Sequence, residues 1–144
     1  MKKALDLARE AAILGEVPVG AVIFRGDTLL GEGCNRKETD CDPSAHAEIV
    51  AMRDAARNSG WWALDGCDIA VTLEPCPMCA GALLQARIRS VYFGASDPKW
   101  GACGTLYDIP SDPRFNHRCK VTGGVLEGEC VTILREFFQA RRKA

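Results

Sequence analysis

The chain has 144 residues, 18 Lys and Arg against 19 Asp and Glu, and a net charge of −1. That length predicts one domain, and 47% hydrophobic with 26% charged residues excludes a disordered or fibrous chain. No apolar stretch approaches the ~18 residues of a membrane helix, and Asp6, Arg9 and Glu10 interrupt any secretory core behind Met1-Lys2-Lys3.

From residue 2 to 14 the spacing Leu5, Ala8, Ala12 predicts an amphipathic helix, stopped by Gly15. Residues 17–24 and 28–34 read as two strands around Arg25-Gly26-Asp27, antiparallel because the turn is tight. A polar loop through Asp40 follows. Asp42-Pro43-Ser44 then offers a cap and an N1 proline for a helix to about residue 58, ended by Ser59-Gly60. Residues 68–73 are strand-like, Pro75 opens a helix to about residue 86, and 90–94 form another strand. Residues 95–118, rich in Gly, Pro and Asp, predict a long, partly helical loop. A fifth strand is expected over 119–125 and a last helix over 126–143. Strands alternating with helices place the chain in the α/β class, with a mixed sheet covered on both faces.

Eight cysteines in 144 residues fall below the ~8–10% of a disulfide scaffold, so the expected compartment is the reducing cytoplasm. Two of them belong to a metal pattern. His46-Ala47-Glu48 lies at the start of one predicted helix, and Glu74-Pro75-Cys76-Pro77-Met78-Cys79 joins a strand to the start of the next. Cys76 and Cys79, three apart in a first helical turn, turn both sulfurs to one face and can grip one ion. Helix N-termini stabilise thiolates through the dipole and the free N–H groups. One imidazole and two thiolates form a catalytic zinc set that leaves a fourth tetrahedral position for water. Glu48 is then the acidic group beside that water. On an ideal helix it points roughly 200° away from His46, so the two converge only where the helix begins beside the metal.

Each half of the pattern has a plainer reading. A lone C-x-x-C serves redox chemistry or is a chance buried pair, and most lone helical histidines are structural. Their order, each at a helix start, favours one zinc per chain. A structural zinc would need a fourth ligand from Cys34, Cys41, Cys67, Cys103, Cys119, Cys130 or His117, none at a recognised spacing.

H-x-E…P-C-x-x-C is the signature of zinc nucleobase deaminases, in which the Glu moves protons and does not bind metal. Around it the chain resembles the bacterial tRNA-specific adenosine deaminase family of the cytidine deaminase-like superfamily. The matching stretches are EVPVGAV (16–22), GEGCNR (31–36), DPSAHAEI (42–49), VTLEPCPMCAGAL (71–83), VYFGASD (91–97), Asn116-His117-Arg118 and FFQARR (137–142). The zinc signature points only to the superfamily; EVPVGAV, NHR and FFQARR point to the tRNA-acting branch. The resemblance implies one zinc-dependent deaminase domain over residues 1–144, a three-layer α/β/α fold with a mixed five-stranded sheet, and a homodimer. It implies His46, Cys76 and Cys79 as zinc ligands and Glu48 as the proton shuttle. Asn35 would contact the sugar or base of a flipped nucleotide, and Asn116, His117 and Arg118 would lie near the substrate strand. The implied reaction is adenosine to inosine at the wobble position of a tRNA anticodon stem-loop.

Asn35 also reads as a loop cap, and His117 as a packing histidine. Trp100 and Cys119 fall in segments expected to face substrate or partner. The last ten residues carry +3 against −4 for the rest of the chain, which suits a phosphate-facing edge, while taken by itself a basic last turn reads first as helix-dipole compensation. The competing functions are a deaminase of a free nucleobase or nucleoside, such as guanine or cytosine, and a non-catalytic zinc or redox protein.

Overall fold

A computed structural model of the chain describes residues 1–143. Its elements in chain order are α1 (Lys2–Ile13), β1 (Gly20–Arg25), β2 (Thr28–Cys34), α2 (Ala47–Ser59), β3 (Asp68–Leu73), α3 (Pro77–Gln85), β4 (Ser90–Ala95), β5 (Lys120–Thr122) and α4 (Glu127–Lys143). The strands form one sheet in the order β2-β1-β3-β4-β5. β1 is antiparallel to both β2 and β3, while β3–β4 and β4–β5 are parallel.

Alternation along β1 divides the core into two sides. Ala21 and Ile23 join Ala47, Ala51 and Ala55 of α2 and Ala80 and Leu83 of α3. Val22, between them, packs with Leu7 and Ala11 of α1 on the opposite face. Cys130 of α4 packs with Leu5 of α1 and Ala95 of β4. The sheet therefore lies between α1 with α4 and α2 with α3, the expected three layers. Among the described residues no helix is long and apolar enough to cross a membrane.

α2 is drawn onto β2 by two glycines. A Cβ on Gly31 would stand 2.5 Å from the Ala55 nitrogen, and one on Gly33 would stand 2.6 Å from the Ala51 nitrogen. Both obstacles are backbone, so neither can swing aside. Gly33→Ala is expected to lower stability by about 2 kcal/mol or more, read by urea unfolding, because overpacking displaces the helix that carries the site. An unchanged midpoint would mean that α2 is less closely seated than its backbone contacts indicate.

Several boundaries differ from those predicted, among them the start of α3, at Pro77 instead of Pro75. The first strand begins at Gly20, three residues late, because Pro18 has no N–H for the ladder. α2 begins at Ala47 instead of after Asp42. The Asp42 carboxylate accepts from both the nitrogen (2.8 Å) and the hydroxyl (2.7 Å) of Ser44, closing a side-chain turn where a helix was expected. The fifth strand is three residues long and stops before Gly123-Gly124, where Gly124 has φ +81°. Residues 95–118 hold turns and a single bridge, Cys103 to Asp108, with no helix. Asp97 and Asp112 each accept from backbone nitrogens two residues ahead, an alternative to helical bonding.

Candidate metal centre

Because β1 runs against its neighbours, its start and the ends of β2, β3 and β4 share one edge of the sheet. The starts of α2 and α3 meet there. His46 is the N-cap of α2 with extended backbone (φ −70°, ψ 154°), and Cys76 is the N-cap of α3 (φ −75°, ψ 173°). Pro77 follows at a position where a missing N–H costs nothing. Cys79 lies one turn into α3, which returns its sulfur toward that of Cys76.

His46 Nδ1 is 3.5 Å from each of the two sulfurs. All three ligand atoms fall within 4.8 Å of one another. Zn–S bonds of about 2.3 Å and a Zn–N bond of about 2.0–2.1 Å meeting tetrahedrally set N and S about 3.5 Å apart, so the donor set fits zinc. Among the described residues no other His, Cys, Asp or Glu joins the group. The fourth tetrahedral position thus has no protein ligand, which argues against a closed structural zinc. None of the eight cysteines is paired.

The hydrogen bond from the Cys79 thiol, reinforced by His46, holds Cys76 down at about 4 despite burial. The same bond, together with burial, pushes Cys79 up. Glu48 is the second residue of α2 and 4% exposed. The convergence with His46 therefore arises as expected at a helix start, set by Ala47 and not by the Asp42 cap. Burial raises the Glu48 carboxyl from 4.5 to about 7, and the negative Cys76 adds to the effect.

That shift has a measurable consequence in metal-free protein. A raised folded-state value means the folded chain holds its proton more tightly than the unfolded chain. Stability is then full below about 4.5, falls as pH rises through about 7, and stays low above. Metal-free Glu48→Gln cannot ionise and is expected to exceed the metal-free parent by about 3 kcal/mol at pH 8 and to match it near pH 4. Denaturation at the two pH values checks this; equal midpoints at pH 8 would contradict it.

The centre opens into a cavity of about 450 Å³, within the usual range for small-ligand sites. Its wall includes Asn35, Lys37, His46, Glu48, Met78 and Trp100. Asn35 lines the cavity and also caps its loop. Its amide donates to Val17 O at 3.3 Å and its carbonyl accepts from the Lys37 nitrogen at 3.2 Å. That loop is tied down by Glu16, 2% exposed, which accepts from the nitrogen (2.7 Å) and hydroxyl (2.9 Å) of Thr39.

Asn116, His117 and Arg118 do not line the cavity of their own chain. His117 Nε2 is 2.7 Å from Ile88 O, just before β4 and at the opposite edge of the sheet, and Arg118 donates to Pro113 O at 2.8 Å. Cys119 is buried and donates to the same Ile88 carbonyl at 3.1 Å, so its side chain faces the core. Cys34, Cys67, Cys103 and Cys130 are buried too, as packing thiols should be, whereas Cys41 is exposed.

Sequence reasoning missed the part played by Glu74. This carboxylate, 2% exposed, accepts from the nitrogens of Asp97 (3.1 Å), Cys103 (3.0 Å) and Thr105 (3.1 Å) and from the Thr105 hydroxyl. It folds the loop that carries Trp100 over the site. The only signal in the sequence was an acidic residue set directly before the P-C-x-x-C segment.

Residues 1–95 match the family described as the cytidine and deoxycytidylate deaminase zinc-binding region, and the chain belongs to that family. Within it, the chain is 45% identical over 143 residues to the tRNA-specific adenosine deaminase of Bacillus subtilis, covering 99% of this chain and 89% of that protein. A solved structure from work on A-to-I editing by tRNA:A34 deaminases at the wobble position superposes with a TM-score of 0.89 at 42% identity, covering 93% of this chain and 97% of that one. Guanine deaminase from Nitrosomonas europaea superposes at 0.78 with 28% identity, over 94% of this chain and 81% of that one.

Proposed function

We propose that this chain converts adenosine to inosine by hydrolysis at the wobble position of a tRNA anticodon, with one zinc held by His46, Cys76 and Cys79. The observation that carries the choice of RNA over a free base is the basic end of α4 beside the cavity. Arg141 donates to Gly15 O at 2.7 Å and lies 3.4 Å from Glu38, in the same loop as the cavity residues Asn35 and Lys37. Its guanidinium also lies 4.7 Å from the centre of the Phe137 ring, which links the two halves of the FFQARR segment. Arg142 and Lys143 extend that end, so positive charge collects beside the site of a chain with net charge −1. Such a cluster serves phosphate contacts, whereas a free base needs none.

Zinc held by His46, Cys76 and Cys79 would lower the pKa of a bound water toward neutrality and so supply the hydroxide nucleophile. Glu48 accepts the proton released as water adds at C6 of adenine and passes it to ring N1. It then takes the remaining proton of the hydroxyl added at C6 and delivers it to the amine, so that the C6–N bond breaks, ammonia leaves and inosine remains. Burial suits Glu48 to this exchange, because a desolvated carboxyl takes a proton readily and gives it up at little cost. Asn35, fixed by its own loop, orients the sugar or base. The target must be unpaired and turned out of its stack, which an anticodon loop allows more readily than a duplex.

A homodimer fits the shallow apolar face formed by Ile49, Met52 and Ala56 of α2, Ala82 of α3 and the exposed Trp62. In such a pair Asn116, His117 and Arg118 would meet the substrate strand bound by the other copy. The cytoplasm, where thiols stay reduced, suits eight unpaired cysteines. Zinc-loaded protein should release ammonia from an arginine-tRNA anticodon stem-loop and none from guanine or cytosine. Turnover of free guanine with none of the stem-loop would overturn the proposal.

A further inference from the structure

We propose that the indole of Trp100 is a stacking platform for a base next to the reacting adenosine, and so sets how the enzyme reads its RNA beyond the flipped nucleotide. The inference rests on the tRNA function above and adds a specificity-determining residue to it. Trp100 lines the cavity that holds His46 and Glu48, yet it is 65% exposed. A tryptophan so placed presents a large apolar ring to whatever enters the site.

Its position is held firmly. The Asp97 side chain accepts from the nitrogens of Lys99 (2.9 Å) and Trp100 (3.1 Å), and Gly101 N donates to Asp97 O at 2.9 Å. Ala102 N donates to Pro75 O at 2.9 Å, and the buried Glu74 carboxylate ties residues on both sides of the turn. The backbone beneath the ring is thus ordered before substrate arrives, so less entropy is lost when a base stacks. Lys99, next to Trp100 in the chain, and Lys37, in the cavity wall, add positive charge to this end of the site. An exposed aromatic ring flanked by lysines is the combination that single-stranded RNA meets: bases stack on the ring while phosphates meet the charges.

The test is a double-replacement cycle on the zinc-loaded protein. Turnover of the anticodon stem-loop is measured for the parent, Trp100→Ala and Trp100→Phe. Each is measured with the intact loop and with an abasic nucleotide at either neighbour of the target adenosine. Trp100→Ala is expected to raise KM for the intact loop about 10-fold with kcat little changed, and Trp100→Phe to restore most of it. An abasic neighbour should weaken the parent by a similar factor and leave Trp100→Ala unaffected on one side of the adenosine. If the two losses multiply at both neighbours, or the Phe variant fails to restore KM, the stacking role is overturned while the deaminase function stands. If the parent forms no inosine from the loop, the tRNA function falls and this inference falls with it.

Discussion

Glu48→Ala is expected to retain one zinc per chain and to lose about 10²–10⁴-fold in turnover, whereas His46→Ala and Cys79→Ala are expected to lose the metal and the activity together. The division follows from where each side chain sits. His46 Nδ1 and the two sulfurs share one small volume at the joined starts of α2 and α3, 3.5 Å from nitrogen to each sulfur. Glu48, one helical position inside α2, is not part of that group. Removing its carboxylate takes away a proton carrier, and general acid–base catalysis is worth about that factor. In the metal-free protein the variant also lacks a carboxyl whose charged form burial disfavours. Metal analysis alongside stem-loop turnover checks both halves. Loss of zinc from Glu48→Ala to the extent seen in His46→Ala would show that the carboxylate helps to hold the metal.

Glu74→Ala is expected to cost more than about 3 kcal/mol of stability and to open the loop from Asp97 to Thr105. Three backbone nitrogens and one hydroxyl converge on this carboxylate, which is 2% exposed. Each buried donor left without a partner costs about 1–3 kcal/mol. Glu74→Gln preserves the shape and one acceptor oxygen while turning the other into a donor, so it should fall between the parent and the Ala variant. Gly101 lies close against this carboxylate, since a Cβ there would stand 2.5 Å from Glu74 Oε2 and from Asp97 O. Urea unfolding gives the stability, and limited proteolysis within 97–105 gives the loop. A Glu74→Ala protein as stable as its parent and resistant to cleavage would show that the loop is held by other contacts.

The parts of the fold set by apolar periodicity were legible in the sequence. β2 and β3 have the predicted limits, and the two-sided burial of β1 follows from its continuous apolar run. The zinc group was legible as well, because its chemistry demands particular residue types at helix starts. The start of α2 was not, since Asp42 closes a turn with Ser44 by bonds that copy a helix cap. The course of residues 95–118 was hidden for a different reason. It depends on Glu74, at least 23 residues away along the chain from the loop nitrogens it receives. Local patterns carry no trace of such a bond. The position of Asn116, His117 and Arg118 likewise depends on strand order: β5 lies at the sheet edge beyond β4, and His117 bonds before β4 rather than after it.

Sequencing of an unmodified tRNA pool after incubation with zinc-loaded protein tests the central claim most directly, since inosine is copied as guanosine. Adenosine at the first anticodon position should convert, other adenosines should not, and Glu48→Ala should convert none. Unchanged wobble adenosines in a pool whose added free guanine has been deaminated would contradict the account.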